Sequence, residues 1–409
     1  MYYRNITPRL LEALGDSPVV LVIGARQTGK TTLVQSLPGE RFAAEYITLD
    51  DSSALSAVAD ARGFVAGLSG PAIIDEVQHA PGLFPAIKAS VDRDRRPGRF
   101  LLTGSANVLL LPKLSESLAG RMEILTLWPL AQAEIAGRRQ SIVDTLFSST
   151  PFPSGLSGIP RDELAGRIVS GGYPEPLSRQ SEARRHAWFD SYLTTILRRD
   201  VRDIANIEGL SRLPRLLSLL AARTAGLLNM SDISTTAGIP YATLHRYFAV
   251  LEATFLVQLL PAWSGNLTSR LIKTPKLVMS DSGMAASLLG ENAERLLREG
   301  PTLGPLLETF VAMEFRKDAG WSETRPALFH YRTHARQEVD IVLESPSGDI
   351  VGIEVKAATS VNASDFRGLR SLQEAAGERF VRGVVFYTGD NVTPFAERLH
   401  AVPISLLWS

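Results

Sequence analysis

The 409-residue chain contains no cysteine, which excludes disulfides, zinc–thiolate sites and thiol catalysis. Nor does it carry a net charge, because 43 Lys and Arg balance 43 Asp and Glu. That balance argues against indiscriminate nucleic-acid binding and leaves room only for a local basic face. No apolar run approaches the length of a membrane span, and Met1-Tyr2-Tyr3-Arg4 does not read as the opening of a signal peptide. Internal repeats and low-complexity tracts are lacking too. The expectation is a cytoplasmic chain with no membrane partner, long enough for about three domains.

Against this plain background one stretch stands out. Gly24-Ala25-Arg26-Gln27-Thr28-Gly29-Lys30-Thr31 matches G-x-x-x-x-G-K-[ST] in full. The β-branched run Val19-Val20-Leu21-Val22-Ile23 precedes it, as a buried parallel strand would. Thr32-Leu33-Val34-Gln35-Ser36-Leu37 follows as a short helix, stopped by Pro38 and Gly39. Strand, glycine loop and helix together make a phosphate cradle, since backbone N–H groups of such a loop point at the β-phosphate. The expected ATP-binding residues are Gly24, Ala25, Arg26, Gln27, Thr28, Gly29, Lys30, Thr31 and Thr32, joined by Asp75. Lys30 supplies charge to the β/γ oxygens, and Thr31 and Asp75 are the expected Mg²⁺ residues.

The rest of that site lies downstream. Pro71-Ala72-Ile73-Ile74-Asp75-Glu76 reads as a second buried strand ending in two carboxylates. Asp75 would hold Mg²⁺ through water, and Glu76 would polarise the attacking water as general base. A third strand, Arg99-Phe100-Leu101-Leu102, runs into Thr103-Gly104-Ser105-Ala106-Asn107. Ser105 is the preferred γ-phosphate sensor there, with Thr103 and Asn107 as rivals and a plain Ser/Gly turn as the bland alternative. Arg121, in Ser117-Leu118-Ala119-Gly120-Arg121-Met122, is a candidate arginine finger acting on a neighbouring subunit, or else a structural ion-pair partner. The finger reading implies a homo-oligomer, with a hexamer as one form.

Beyond a Pro/Ser/Gly loop at 148–155 the pattern turns helical from Arg161 to about Thr224, with a break at Gly171-Gly172-Tyr173-Pro174. Arg184-Arg185 and Arg198-Arg199-Asp200-Val201-Arg202 decorate it, more as a solvated face than as a binding patch. Residues 225–280 resemble a winged helix-turn-helix. A short helix follows Leu227, with Ser231 as its cap, and Gly238-Ile239-Pro240 is the turn. Tyr241 to Leu251 is the candidate recognition helix, and 255–260 with 276–279 the wing. Tyr241, Thr243, His245 and Arg246 are the candidate DNA contacts, with protein packing as the rival use of such a module.

The last hundred residues hold a second constellation. Gln337 to Leu343 alternates with period two, a turn at Pro346-Ser347-Gly348-Asp349 follows, and Ile350 to Lys356 returns. Such a hairpin brings Asp340 beside Glu354 and Lys356, the D…E-x-K arrangement of restriction-endonuclease-like nucleases. Glu308, on an apolar helix, is a further candidate acid. An inactive descendant that keeps the fold is the alternative to an active nuclease.

Together the motifs resemble the bacterial and archaeal ATPases that pair an AAA-type domain with a C-terminal domain of unknown function, DUF4143. The strings that carry this are GARQTGKTT, IIDEVQ, LLTGSAN, SLAGR, YLTTILRRD, KLVMSDSGMAASLLG, YRTHARQEVDIVLE and GIEVK, in that order. The resemblance implies an AAA+-like core, a winged helix and an endonuclease-like tail. The expected fold is therefore α/β: a P-loop NTPase (AAA+-like) parallel sheet over 1–135, a helical lid over 136–224, a winged helix-turn-helix over 225–300 and a restriction-endonuclease-like α/β domain over 301–409. No second sensor arginine is identifiable in the lid. The function expected is a Mg²⁺-dependent ATPase, an oligomer that couples hydrolysis to binding or remodelling of DNA, including branched or junction DNA. The alternatives are an ATP-regulated, metal-dependent DNA nuclease, or a nucleotide switch binding protein partners of a defence or toxin–antitoxin type.

Overall fold

The computed structural model describes residues 2–37, 42–105, 118–153, 155–156, 158–198, 210–266, 268, 270, 273–298 and 300–409. The chain forms two compact units, one of Tyr3–Pro129 with Ala253–Phe255, the other of Leu130–Glu252 and Leu256–Ser409 with the first residues. Asn107, Ser117, Pro38, Gly39 and the Arg199 to Arg202 cluster lie outside the described residues.

The first unit is built on five strands: β1 (Val19–Ile23), β2 (Glu45–Thr48), β3 (Ala72–Asp75), β4 (Phe100–Gly104) and β5 (Met122–Thr126). They lie in the order β2-β3-β4-β1-β5, and every neighbouring pair is parallel. This is the parallel α/β sheet expected, in the order typical of P-loop NTPases. β1, β3 and β4 are buried along their whole length, which explains their unbroken apolar runs. Parallel strands share one direction, so the C-terminal ends of β1, β3 and β4 open on the same edge. Ile23 sits level with Gly104, and Thr48 with Asp75. That edge is where open α/β sheets carry ligands.

In the second unit, the helices Arg161–Ser170, Glu182–Arg198 and Leu213–Ala221 make up the helical stretch. The expected break is present. The first of these helices stops before Gly171, and the buried Asp281 carboxylate accepts the Gly172 N–H at 2.8 Å. Two helices, Met230–Ala237 and Tyr241–Ala253, follow across a turn in which Gly238 takes the left-handed conformation, φ 63°. The cap expected at Ser231 is instead Asn229, whose side chain accepts the Asp232 N–H at 3.1 Å. Asn reaches the third N–H of the first turn from one residue before the helix, whereas Ser231 already lies inside it. β6 (Val257–Leu260) and β7 (Lys276–Met279) then pair antiparallel, with Leu260 opposite Lys276.

The C-terminal sheet has six strands: β8 (Ala327–Arg332), β9 (Glu338–Glu344), β10 (Ile350–Val355), β11 (Phe380–Tyr387), β12 (Thr393–Ala396) and β13 (Leu399–Pro403). Their order is β12-β13-β11-β10-β9-β8, with β10/β11 and β11/β13 parallel and the other pairs antiparallel. The helix Arg367–Ala376 covers one face, burying Leu369 and Leu372 among Val339, Val342, Phe380 and Val385. Its approach is close enough to require glycine. A Cβ at Gly368 would lie 1.8 Å from the Glu338 carbonyl oxygen, a backbone atom that cannot swing aside. Gly368→Ala should therefore lift the helix from β9 and lower stability by about 2–3 kcal/mol, the usual size of core overpacking. Denaturant unfolding checks this against Gly304→Ala, where the new methyl meets nothing within 4 Å and stability should hold or rise slightly.

Candidate functional site

Two groups of polar side chains stand out, one in each unit. The first lies at the C-terminal edge of the parallel sheet. β1 ends at Ile23 and the chain turns at once through Gly24. A side chain there would collide with the Leu127 carbonyl oxygen, 2.2 Å from an added Cβ. Gln27 and Gly29 take positive φ, 61° and 94°, and the helix Lys30–Gln35 starts immediately after. Helix therefore begins at Lys30, two residues earlier than the apolar pattern alone suggested, which aims the Lys30 and Thr31 side chains at the loop. Arg4 fastens this loop from outside its own segment. Its guanidinium, itself buried, donates to the Thr28 and Trp128 carbonyls, each at 2.7 Å. The Lys30 ammonium donates to the Gly24 and Ala25 carbonyls at 3.1 and 2.9 Å, within the turn whose N–H groups would face a phosphate.

Asp75 ends β3 next to this loop, 2% exposed. Thr31 Oγ1 and the Tyr46 hydroxyl both donate to its Oδ2 at 2.8 Å, and Thr103 Oγ1 donates to Oδ1. The contact between Thr31 and Asp75 is the pair that would hold Mg²⁺ between them, so the residues present fit that ion. Burial and the Asp75 carboxylate push the Tyr46 hydroxyl up to about 12, so it stays a proton donor throughout the physiological range. Glu76 adopts φ 58°, ψ 46°, a left-handed conformation unusual outside glycine. Its N–H donates to Thr103 Oγ1 at 3.0 Å, and its carboxylate accepts from the Gln78 amide. The same Gln78 amide reaches Ser105 Oγ at 2.8 Å. Burial opposes ionisation of Glu76, but Gln78, Lys30, Ser105 and Arg26 together hold its pKa below the ordinary value. The carboxylate is thus held in its ionised form.

Thr103 and Ser105, the rival sensors, have separate partners: Thr103 binds Asp75 and the Glu76 N–H, whereas Ser105 binds Gln78. Arg121 lies just before β5 with its Nε 2.5 Å from the Asp92 carboxylate of its own chain. Tyr46 and Arg4 lie outside the motifs of the sequence, and Gln78 closes the string IIDEVQ without an assigned role. Tyr46 and Arg4 reach the site from segments whose proximity depends on the strand order, whereas Gln78 meets Glu76 locally and only its contact with Ser105 crosses between strands.

The second group surrounds the β9–β10 hairpin. Ile341 pairs with Ile353, so Asp340 and Glu354 flank one another across the ladder, and Asp340 Oδ2 accepts the Val355 N–H at 3.0 Å. Lys356 Nζ donates to Glu354 Oε1 at 2.9 Å. Glu308, on the helix Leu303–Asp318, joins them, so the four residues expected together are together. A fifth was missed. Lys276, at the start of β7 and only 5% exposed, places its Nζ 2.5 Å from Glu308 Oε1 and 3.4 Å from Asp340 Oδ1. Burial, with the Asp340 charge beside it, raises Glu308 to about 8 and Glu354 to about 7. Among the described residues, no three His, Cys, Asp or Glu side chains are placed to hold a metal ion together. On the helix Tyr241–Ala253, Tyr241, His245 and Arg246 are exposed and Thr243 is half-buried, while Leu244, Tyr247 and Phe248 face the core.

Comparison with known proteins matches residues 16–136 to a family described as an AAA domain, 161–295 to a domain of unknown function, DUF8612, and 303–407 to another, DUF4143. The uncharacterized protein Rv2008c of Mycobacterium tuberculosis is 31% identical over 403 residues, spanning 98% of this chain and 83% of that protein. The uncharacterized protein Mb2031c of Mycobacterium bovis matches to the same extent, 31% over 403 residues. Among solved structures, a RuvB variant from Thermotoga maritima overlaps 63% of this chain and 89% of its own, at 18% identity and a TM-score of 0.32, a likeness too slight to bear on function.

The site geometry separates two roles. Lys30→Ala should abolish ATP binding, because it removes the cation held in the loop. Glu76→Gln should still bind ATP yet hydrolyse it at least about a hundredfold more slowly, the usual size of a lost general base. Equilibrium binding of a fluorescent ATP analogue and steady-state phosphate release measure the two. Unchanged turnover in Glu76→Gln would show that another group takes the proton.

Proposed function

Because the chain belongs to the family that joins an N-terminal AAA domain to a C-terminal DUF4143 domain, we propose that it hydrolyses ATP with Mg²⁺ and couples that turnover to DNA. The AAA domain makes this an ATPase-type protein, and the observation that carries the catalytic proposal is the cluster of Thr31, Asp75 and Glu76 at one sheet edge. When bound, Mg²⁺ would neutralise charge on the β- and γ-phosphates. The chain's own residues then divide the remaining work. The glycine loop binds the phosphates, and Lys30 exchanges its carbonyl partners for phosphate oxygens. Thr31 and Asp75 would hold the ion. Glu76 accepts a proton from the attacking water at its carboxylate. Gln78, which binds both that carboxylate and Ser105, sets the direction in which Glu76 points.

DNA is proposed as the partner on the geometry of the helices Met230–Ala237 and Tyr241–Ala253 and the β6–β7 hairpin, read as a winged helix-turn-helix. The second helix offers solvent an aromatic ring, an imidazole and a guanidinium from Tyr241, His245 and Arg246. With no net charge, the protein has only such a local face to offer phosphates, so binding should weaken steeply with salt. A homo-oligomer, a hexamer being one form, is proposed on the partly exposed Arg121, which would leave Asp92 to reach a neighbour's γ-phosphate.

The ATPase rate with and without single-stranded, duplex and branched DNA tests the coupling. Stimulation by at least one form is expected, and Arg246→Ala should weaken DNA binding while sparing the basal rate. No stimulation and no binding would transfer the reading to a nucleotide switch with protein partners. For the assembly, Arg121→Ala should keep ATP affinity but lose about a thousandfold in turnover, with partial rescue on mixing with Lys30→Ala subunits. Full activity in a species that stays monomeric with ATP would leave Arg121 as the ion-pair partner of Asp92 alone.

A further inference from the structure

The hairpin carboxylates of the C-terminal sheet have the residue types of a metal-dependent nuclease, and their surroundings do not suit a metal. Divalent cations of this kind are held by several carboxylate or carbonyl oxygens at about 2.0–2.6 Å. In this cluster four of the six carboxylate oxygens already face nitrogen donors. Glu308 Oε1 and Asp340 Oδ1 share the Lys276 ammonium, Asp340 Oδ2 takes the Val355 N–H, and Glu354 Oε1 takes Lys356. Only Glu354 Oε2 is buried without a hydrogen-bond partner. A second cation between Glu308 and Asp340 would have to displace an ammonium that is itself buried.

Lys276 does not belong to the C-terminal sheet. It opens β7, where its backbone pairs with Leu260 and also bridges to Leu227, the residue leading into the helix-turn-helix. Its side chain crosses to Glu308 on the helix Leu303–Asp318 and to Asp340 on β9. One lysine thereby joins three separate parts of the same unit.

We infer that Lys276 is the resident cation of this carboxylate cluster, that the cluster takes no divalent metal, and that its role is to fasten the β6–β7 hairpin to the C-terminal sheet. The charges support this. Three carboxylates, Glu308, Asp340 and Glu354, meet two ammonium groups, Lys276 and Lys356, which leaves at most one negative charge over, so the cluster needs no external ion to avoid a large buried imbalance. Removing Lys276 would leave the acids facing one another across the space it fills. The inference stands apart from the ATPase reading, because nothing in it depends on nucleotide.

The test uses the full chain without nucleotide and Mn²⁺ as the probe, following the Mn²⁺-induced change in Tm and bound Mn²⁺ by electron paramagnetic resonance. Wild type and Asp340→Asn should respond identically to Mn²⁺. Lys276→Ala should lose roughly 5–10 °C in Tm without Mn²⁺ and regain part of it with Mn²⁺. The double variant Lys276→Ala/Asp340→Asn should show no such recovery. A Mn²⁺ response in wild type that Asp340→Asn removes, or Mn²⁺-dependent DNA cleavage lost in Asp340→Asn, would overturn the metal-free assignment. A wild-type Tm in Lys276→Ala would overturn the fastening role. Should Lys276→Ala not fold, the comparison of wild type with Asp340→Asn decides the metal question alone.

Discussion

The Asp75 carboxylate is the point on which the first unit's site depends. Three hydroxyls reach it from three separate segments: Thr31 from the helix after the glycine loop, Tyr46 from β2 and Thr103 from β4. Hydrogen bonds to an ionised acceptor are roughly twice as strong as neutral ones, and in a buried setting a lost partner leaves a costly unsatisfied group. Asp75 therefore does two things at once. It ties the loop strand, the edge strand and the central strands at one level, and it presents its charge beside Thr31 where an ion would sit. Thr103 extends the same tie by accepting the Glu76 N–H, which fixes the backbone of the residue held in a left-handed conformation. That conformation turns Glu76 out of line with β3 and toward Gln78, so the two adjacent acids have different partners.

The parts of this site visible in the sequence are those encoded by consecutive residues. A β-branched run, a glycine loop and a Lys-Thr pair are local patterns, and a buried strand ending in Asp-Glu is another. Tyr46 and Arg4 have no such signature, and Gln78, though it closes the string IIDEVQ, shows its bond to Ser105 only in the fold. Tyr46 meets Asp75 because β2 pairs in parallel with β3, and the register brings Thr48 level with Asp75. Arg4 reaches the Thr28 and Trp128 carbonyls across 24 and 124 residues of chain. Strand order and register are not written in any short window, so side chains that depend on them could be placed only once the sheet was known. The capping residue of the helix at Met230 was missed for a smaller reason. Asn229 and Ser231 are both good caps, and only the point at which the backbone enters the helix separates them.

The C-terminal hairpin repeats the lesson with a chemical consequence. Its period-two alternation was legible, and with it the meeting of Asp340, Glu354 and Lys356. In the sequence Lys276 belongs only to the candidate wing strand 276–279, and nothing in that short window marks it as buried. Here it is buried because carboxylates from two other elements surround it, a fact that neither segment states alone. The residue that changes the meaning of the acidic pattern comes from some thirty residues before Glu308 and about sixty before Asp340.

The two clusters show how identical residue types acquire different chemistry. At the sheet edge of the first unit, Asp75 and Glu76 are surrounded by hydroxyl and amide donors, with Lys30 as the nearest cation engaged by backbone carbonyls. Neutral donors can rotate or exchange when a cation or phosphate arrives, and Glu76 is held ionised against the cost of its burial by Gln78 and Ser105 together with the charges of Lys30 and Arg26. In the second unit the donors are the buried Lys276 ammonium, the Lys356 ammonium and the Val355 N–H, and the acids are crowded enough that burial and mutual repulsion raise Glu308 and Glu354. A carboxylate pair that must admit a metal needs surplus negative charge and replaceable partners. A pair that must hold two elements together needs a cation that cannot leave, and a lysine covalently attached to one of those elements supplies it. The contrast between the clusters thus lies in the counter-charge: Lys30 on backbone carbonyls beside neutral donors in one, and the buried Lys276 shared by Glu308 and Asp340 in the other.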